Sequence, residues 1–276
     1  CSSSLVATHY ACQSLRMGEC PTAMAGGAGM LLHPDVMVNF SKANMLSPNG
    51  RCATFDDAAD GYTRGEGAGM VALRPLSVAK GDGSRLIAVI RGSAVNQDGR
   101  SSGLTAPNGP SQESVITAAL QSGGVSAADV GYIEAHGTGT SLGDPIEVNA
   151  IQAVYTGHSD ARPLIIGSVK TNIGHLEAAA GIAGLTKLTL CLQKAHIPAH
   201  LHFKTLNKFI NLDGTGIAVA GQDPAGQAWP SCYESRISAV SSFGFGGTNS
   251  HVVLGQAPET APRAGTPTEK VHTFVM

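Results

Sequence analysis

The chain changes character most sharply after Val130, Tyr132 and Ile133. These three end an apolar, strand-like run, and Glu134-Ala-His136-Gly-Thr138-Gly-Thr140-Ser-Leu-Gly-Asp144-Pro145 follows. Asp144 ahead of Pro145 reads as a helix start, an N-cap side chain before a proline suited to the first helical position. Strand, glycine-rich loop and helix in immediate succession confine the fold to the α/β class. Open α/β sheets place their chemistry at such junctions, and His136 stands at this one. Two other stretches look built to meet it: Cys1-Ser-Ser-Ser4, and Lys170-Thr-Asn-Ile-Gly-His175.

The rest of the pattern alternates in the same way. Leu5, Val6, Tyr10, Ala11 and Leu15 predict a helix over 4–17 that stops at Gly18, with the serines at 2–4 as caps and Cys1 at the helix mouth. Residues 23–32 read as a buried strand, 65–73 and 86–90 as further strands, and 96–110 as a polar loop. Helices are expected over 111–121, capped by Ser111, and over 145–155, with a strand at 164–169. Residues 177–193 predict a helix apolar on nearly every face, with Lys187 the charge in its middle, so it belongs between layers. Short strands at 217–220, 237–241 and 251–254 complete a layered α/β architecture.

Composition narrows the function classes. A chain of 276 residues makes one large or two ordinary domains, at a prior of ~150 residues each. The formal charge is −2 with lysine and arginine scattered, which does not fit nucleic acid or an anionic membrane as main partner. No apolar run approaches the ~20 residues of a membrane span, and no signal peptide precedes Cys1. Cysteines at 1, 12, 20, 52, 191 and 232 form no C-x-x-C pair, which disfavours a zinc site or disulfide framework and points to a reducing, cytoplasmic compartment. Residues 257–269 have the Pro/Thr/Ala composition of a linker, so the chain reads as a piece of a longer polypeptide.

Taken singly, the candidate residues each permit two readings. Cys1 is either a small buried hydrophobe or a nucleophile whose thiolate a helix N-terminus favours. His136 is either a satisfied histidine at a strand end or a catalytic one. Gly137-x-Gly139-x-x-x-Gly143 misses the dinucleotide spacing by one residue, and no phosphate-binding P-loop occurs. Lys170 and His175 could lie in a solvated loop, but they fall between an apolar strand and an apolar helix, where charge needs a partner or a purpose. His9, His33, His158, His196, His200, His202, His251 and His272 read as structural or surface residues. Asp56, Asp57 and Asp60 near Arg64 read as a salt-bridged surface loop rather than a metal site.

Together, Cys1-Ser-Ser-Ser-Leu-Val-Ala, Glu134-Ala-His-Gly-Thr-Gly-Thr140, Lys170-Thr-Asn-Ile-Gly-His-Leu-Glu177 and Gly244-Phe-Gly-Gly-Thr-Asn249 resemble, in order and spacing, the β-ketoacyl synthase domain. Leu46–Cys52 and the loop from Asn96 to Pro110 are similar to those of modular type I polyketide synthases. The resemblance covers roughly residues 1–255. It implies the thiolase-like fold, an αβαβα layered sandwich of two similar halves that works as a homodimer. Residues 1–99 are then the remainder of the N-terminal half, 100–255 the C-terminal half, and 256–276 a linker towards an acyltransferase region of the same polypeptide.

The resemblance also implies roles. Cys1 matches the nucleophile that takes the acyl chain as a thioester. His136 and His175 match the pair that promotes decarboxylation of a malonyl-type extender and stabilises the enolate. Lys170 matches the lysine that supports the second histidine and balances the site's charge. Thr138 and Thr140 match contacts to the phosphopantetheine arm of acyl carrier protein. Phe245 matches a gating aromatic whose backbone N–H forms the oxyanion hole with that of Cys1. No metal and no directly bound cofactor is implied. The family has a substantial segment before its cysteine, so the N-terminal part of the fold is expected to be missing and the isolated chain to be inactive and poorly stable. Leu206 stands where the family usually has proline. A fatty-acid or polyunsaturated-fatty-acid ketosynthase, and a ketosynthase-like domain that binds carrier without condensing, are the alternatives. A thiolase is disfavoured because Phe243–Asn249 holds no second cysteine.

Overall fold

The computed structural model describes residues 1–100, 103 and 107–258. Expectations for 104–106, for the linker from 259 onward, for His272 and for an element starting at Val271 lie outside the described residues. In chain order the elements are α1 (Ser3–Met17), β1 (Ala23–Gly29), α2 (Pro34–Lys42), β2 (Gly67–Leu73), α3 (Leu76–Gly81) and β3 (Ala88–Gln97). Then come α4 (Gly109–Gly123), β4 (Tyr132–Glu134), α5 (Gly143–Val154), β5 (Leu164–Gly167), α6 (Lys170–Ile173) and α7 (Ala180–Lys194). The last are β6 (His196–Ile197), β7 (Ile217–Val219), β8 (Gln227–Ala228), β9 (Ile237–Phe243) and β10 (Thr248–Gln256).

A six-stranded sheet in the order β3-β10-β9-β4-β5-β7 forms the centre. β10 runs antiparallel to β3 and β9, while β9, β4, β5 and β7 run parallel. Strand alternation sends successive side chains to opposite faces. Ile133 therefore packs with Val115, Ile116, Val148 and Ile151 of α4 and α5. Its neighbour Tyr132 packs with Leu5 of α1 and Leu185 and Leu188 of α7. Beyond α1 and α7 lies a second, two-stranded antiparallel sheet of β1 and β2. The order is helices, sheet, helices, sheet: four layers of the sandwich the motifs imply.

Several boundaries differ from the expectations, each for a local reason. Ser2 makes no side-chain cap to α1, and Ser4 instead accepts a hydrogen bond through Oγ from the Ile182 N–H (2.9 Å), tying α1 to α7. Asn108, not Ser111, caps α4, its side chain accepting from the Ser111 N–H at 3.2 Å. β3 continues through Asn96 and Gln97 because β10 offers partners there regardless of side-chain polarity. Asp144 lies in the first turn of α5 rather than at its N-cap, which is Leu142. Glu177–Ala179 is a single 3-10 turn ahead of α7. β1 is not buried on both faces: Met24 and Met70 are exposed on the outer side of the small sheet.

The inner side of that sheet is glycine-faced so that backbone can approach backbone. A Cβ on Gly29 would stand 2.2 Å from the Leu176 carbonyl oxygen, beside His175. Gly29→Ala is expected to destabilise the fold by about 1–3 kcal/mol and to push residue 176 outward. A lowered urea midpoint with reduced site activity would be the signature; an unchanged midpoint would show that the approach leaves room for a methyl group.

Candidate active site

The three stretches converge. Cys1, His136 and His175 line one cavity of about 290 Å³, together with Thr138, Thr140, Phe40, Phe243 and Phe245. Cys1 sits at the mouth of α1, where the helix's positive end favours negative charge. Its carbonyl accepts from the Ser242 hydroxyl of β9 at 2.9 Å. His136 follows β4, and His175 follows α6. The two imidazoles meet edge-on, centroids 5.5 Å apart at 83°, with Phe243 packed against His136 at 5.6 Å.

Burial sets the protonation of both rings. Desolvation first, and the nearby Lys170 charge second, hold His136 and His175 well below the usual imidazole range, so both are neutral at neutral pH. His175 Nδ1 accepts from the Glu177 N–H at 2.9 Å. A neutral ring that accepts at Nδ1 carries its proton on Nε2. Lys170 is itself buried, its pKa lowered by desolvation against the opposing pull of Glu134 and Glu147.

The glycine loop is held by carboxylates that sequence reading overlooked. Glu147 of α5 accepts from the N–H groups of His136 (2.6 Å) and Gly137 (2.8 Å). Asp144 accepts from Phe55 (2.8 Å) and Gly139 (3.1 Å). Burial raises Asp144 to about 6 and Glu147 to about 7, with these N–H donors pulling the other way. The loop amides that could bind phosphate are thus occupied by the chain's own carboxylates, which disfavours a nucleotide. Glu134 likewise accepts from the Tyr132 hydroxyl (2.8 Å) and the Val169 N–H and pairs with Lys187 at 2.8 Å. A usable signal was present: Glu134 and Glu147 are acidic residues inside apolar runs, where a carboxylate needs a partner.

The other candidates fall as follows. Thr138 and Thr140 face the cavity with hydroxyls 3.4 Å apart, and Thr140 also accepts from the Gly143 N–H. Phe245 is partly exposed and packs on Phe40, centroids 6.1 Å apart. The expected salt-bridged aspartate loop is a correction. Arg64 pairs with Glu177, and Asp56 is buried, accepting from the Thr205 and Ala58 N–H groups at 2.9 Å. Among the described residues no cluster of three or more His, Cys, Asp or Glu is placed to hold a metal.

Two histidines away from the cavity are structural. His200 stacks on Phe55 at 5.6 Å, and His251 bridges Tyr155 (2.7 Å) and Ser241 (2.9 Å). Burial pulls His200 down to about 4 and His251 to about 3. Unfolded, each takes a proton below about pH 6.5; folded, it does not. Stability linked to them is complete above pH 6.5 and is lost as pH falls towards 4 and 3, at roughly 1.4 kcal/mol per pH unit for each group. Because burial of Asp144 and Glu147 acts in the opposite direction over the same range, the contribution is read as the difference between wild type and His251→Asn, whose urea midpoints are expected to converge as pH falls from 6.5 to 5; profiles that run parallel would contradict neutral burial.

Known proteins match along the whole chain. Residues 1–79 match the β-ketoacyl synthase N-terminal domain and residues 87–204 the C-terminal domain. One chain of the phenolphthiocerol/phthiocerol polyketide synthase of Mycobacterium tuberculosis is 51% identical over 100% of this chain, which spans 13% of that protein. A second chain of the same synthase is 55% identical over 95% of this one, which spans 17% of it. Among solved structures, the ketosynthase from module 6 of the Bacillus subtilis bacillaene synthase aligns with TM-score 0.89 at 38% identity, over 94% of this chain and 46% of that one. An oxazolomycin ketosynthase domain of Streptomyces albus aligns with TM-score 0.87 at 42% identity, over 95% of this chain and 46% of that one. No described helix is long and apolar enough to cross a membrane. Layer order, site and likeness agree: the chain belongs to the β-ketoacyl synthase family and has its thiolase-like fold.

Proposed function

We propose that this chain carries the condensing centre of a polyketide synthase, joining a Cys1-bound acyl group to a malonyl-type extender on acyl carrier protein. The observation that carries the reading is the shared cavity of Cys1, His136 and His175. The Cys1 thiol gives up its proton and its sulfur attacks the acyl thioester, the carrier sulfur that leaves takes up that proton, and the acyl group rests on Sγ. The backbone N–H groups of Cys1 and Phe245 steady the oxyanion of that step. Extender then enters with its phosphopantetheine arm along Thr138 and Thr140. Its carboxylate leaves as carbon dioxide, and the electron pair of the broken C–C bond becomes an enolate. His175, protonated on Nε2, and His136 donate to the enolate oxygen, with burial first and the Lys170 charge second keeping both rings neutral. The enolate carbon attacks the acyl-Cys1 carbonyl, the C–S bond breaks, and the thiolate returns while the β-ketoacyl product stays on the carrier.

Nothing in this sequence of steps needs a directly bound cofactor. The relatives being polyketide synthase subunits supports polyketide over fatty-acid extension. The presence of Cys1, His136, His175 and Lys170 together argues against a non-condensing carrier-binding domain. We further propose that residues 1–99 and 100–255 belong to the two halves of a ketosynthase that dimerises through its complete domain. Residues 256–276 then lead to an acyltransferase region of a cytoplasmic polypeptide. The test is product analysis with the intact polypeptide: acyl donor plus malonyl-carrier is expected to give one carbon dioxide per β-ketoacyl-carrier formed. Carbon dioxide without chain extension would refute condensation.

A further inference from the structure

Arg64 reaches the cavity only through other residues, yet it joins two of its walls. Its guanidinium donates twice to the Glu177 carboxylate, through Nε to Oε1 and through Nη2 to Oε2 (2.9 Å). The Arg64 side chain is 4% exposed and that of Glu177 29%, so the pair is shielded from water on the arginine side. A bidentate Arg–carboxylate contact fixes the plane as well as the position of the guanidinium. That plane lies over the Phe40 ring, 5.4 Å from its centroid, and Phe40 packs on Phe245. Both rings line the cavity that Cys1 faces.

The other end of the chain of contacts reaches a catalytic candidate. Glu177 holds Arg64 with its side chain and donates to His175 Nδ1 with its N–H. It does so at φ 50°, a left-handed backbone that an L-residue with this side chain rarely adopts. One strained residue thus carries both the contact that sets the His175 tautomer and the anchor of the aromatic wall.

We propose that Arg64 is a positioning residue for acyl-group selection: clamped by Glu177, it seats Phe40 against Phe245 and so fixes the width of the acyl-binding wall relative to His175. This role rests on the condensing reading above. A loosened clamp lets the Phe40 ring move and affects bulky acyl groups, while a small group that does not touch the wall is indifferent.

The test loads Cys1 of the intact polypeptide from N-acetylcysteamine thioesters, acetyl against a bulky branched acyl, read by mass spectrometry of the Cys1 peptide. Arg64→Met is expected to raise KM for the bulky thioester about tenfold with acetyl changed less than about threefold. Arg64→Lys, keeping the cation without the fork, should fall between. Phe40→Leu should reproduce the lost selectivity with the ion pair intact, which keeps the test alive if Arg64→Met fails to fold. Equal losses for both thioesters, no change for either, or an unaltered preference in Phe40→Leu would overturn the role. A wild-type Cys1 that accepts no acyl group would instead overturn the condensing reading, and this role with it.

Discussion

Replacing Cys1 with alanine in the intact polypeptide is expected to abolish acyl loading, lowering condensation by about a thousandfold or more. The size of the effect follows from the chemistry. Without a sulfur at the head of α1 there is no atom to hold the acyl group while the carrier is exchanged. Cys52, also near Lys170, cannot substitute: burial raises its thiol, and its sulfur accepts from the Thr63 N–H at 3.3 Å. Intact mass after incubation with acyl thioester reads the outcome. Undiminished acyl occupancy in Cys1→Ala would place the nucleophile elsewhere.

His175→Ala and His136→Ala are each expected to slow carbon dioxide release from malonyl-carrier by about 10²–10³, the usual consequence of deleting one preorganised donor to a developing oxyanion. Together they should cost much less than the product of the two, because one enolate oxygen is served by both. Acyl loading of Cys1 should survive far better than decarboxylation in these variants. The pH profile separates this account from acid catalysis by imidazolium. Both rings are held well below the ordinary imidazole range by burial and then by Lys170, so their titration should add no limb near pH 6.5. A limb near pH 6.5 that persists in Glu147→Gln, whose carboxyl burial raises to about 7 in the native protein, would mean the rings are exchanging protons with solvent in the ordinary range.

The sequence made the site legible where its residues are unusual for their surroundings. His136 after an apolar strand, Lys170 and His175 between an apolar strand and an apolar helix, and Cys1 ahead of a helical pattern all stand out in this way. Most of the layered elements followed from periodicity, including α7 and the short parallel strands, whereas α2, α3 and the helical turn α6 were not anticipated. What stayed hidden depends on partners far apart in the chain. Asp144 reads locally as an N-cap, but its carboxylate serves Phe55 and Gly139, a contact that exists only once residues 52–56 fold over the loop. Arg64 lies a few positions from three aspartates and pairs with Glu177 instead. β1 is exposed on one face although its small apolar residues resemble a core strand, because alanine and glycine serve equally for close packing inside and for an inner sheet face.

The most direct test is a pulse and chase on the Cys1 peptide. Loaded from a labelled acyl thioester and then given malonyl-carrier, the peptide should lose its label as one carbon dioxide appears and the label moves to carrier as a β-ketoacyl group. Label found on another residue, or released to water as free acid without carbon dioxide, would contradict condensation at the cavity of Cys1, His136 and His175.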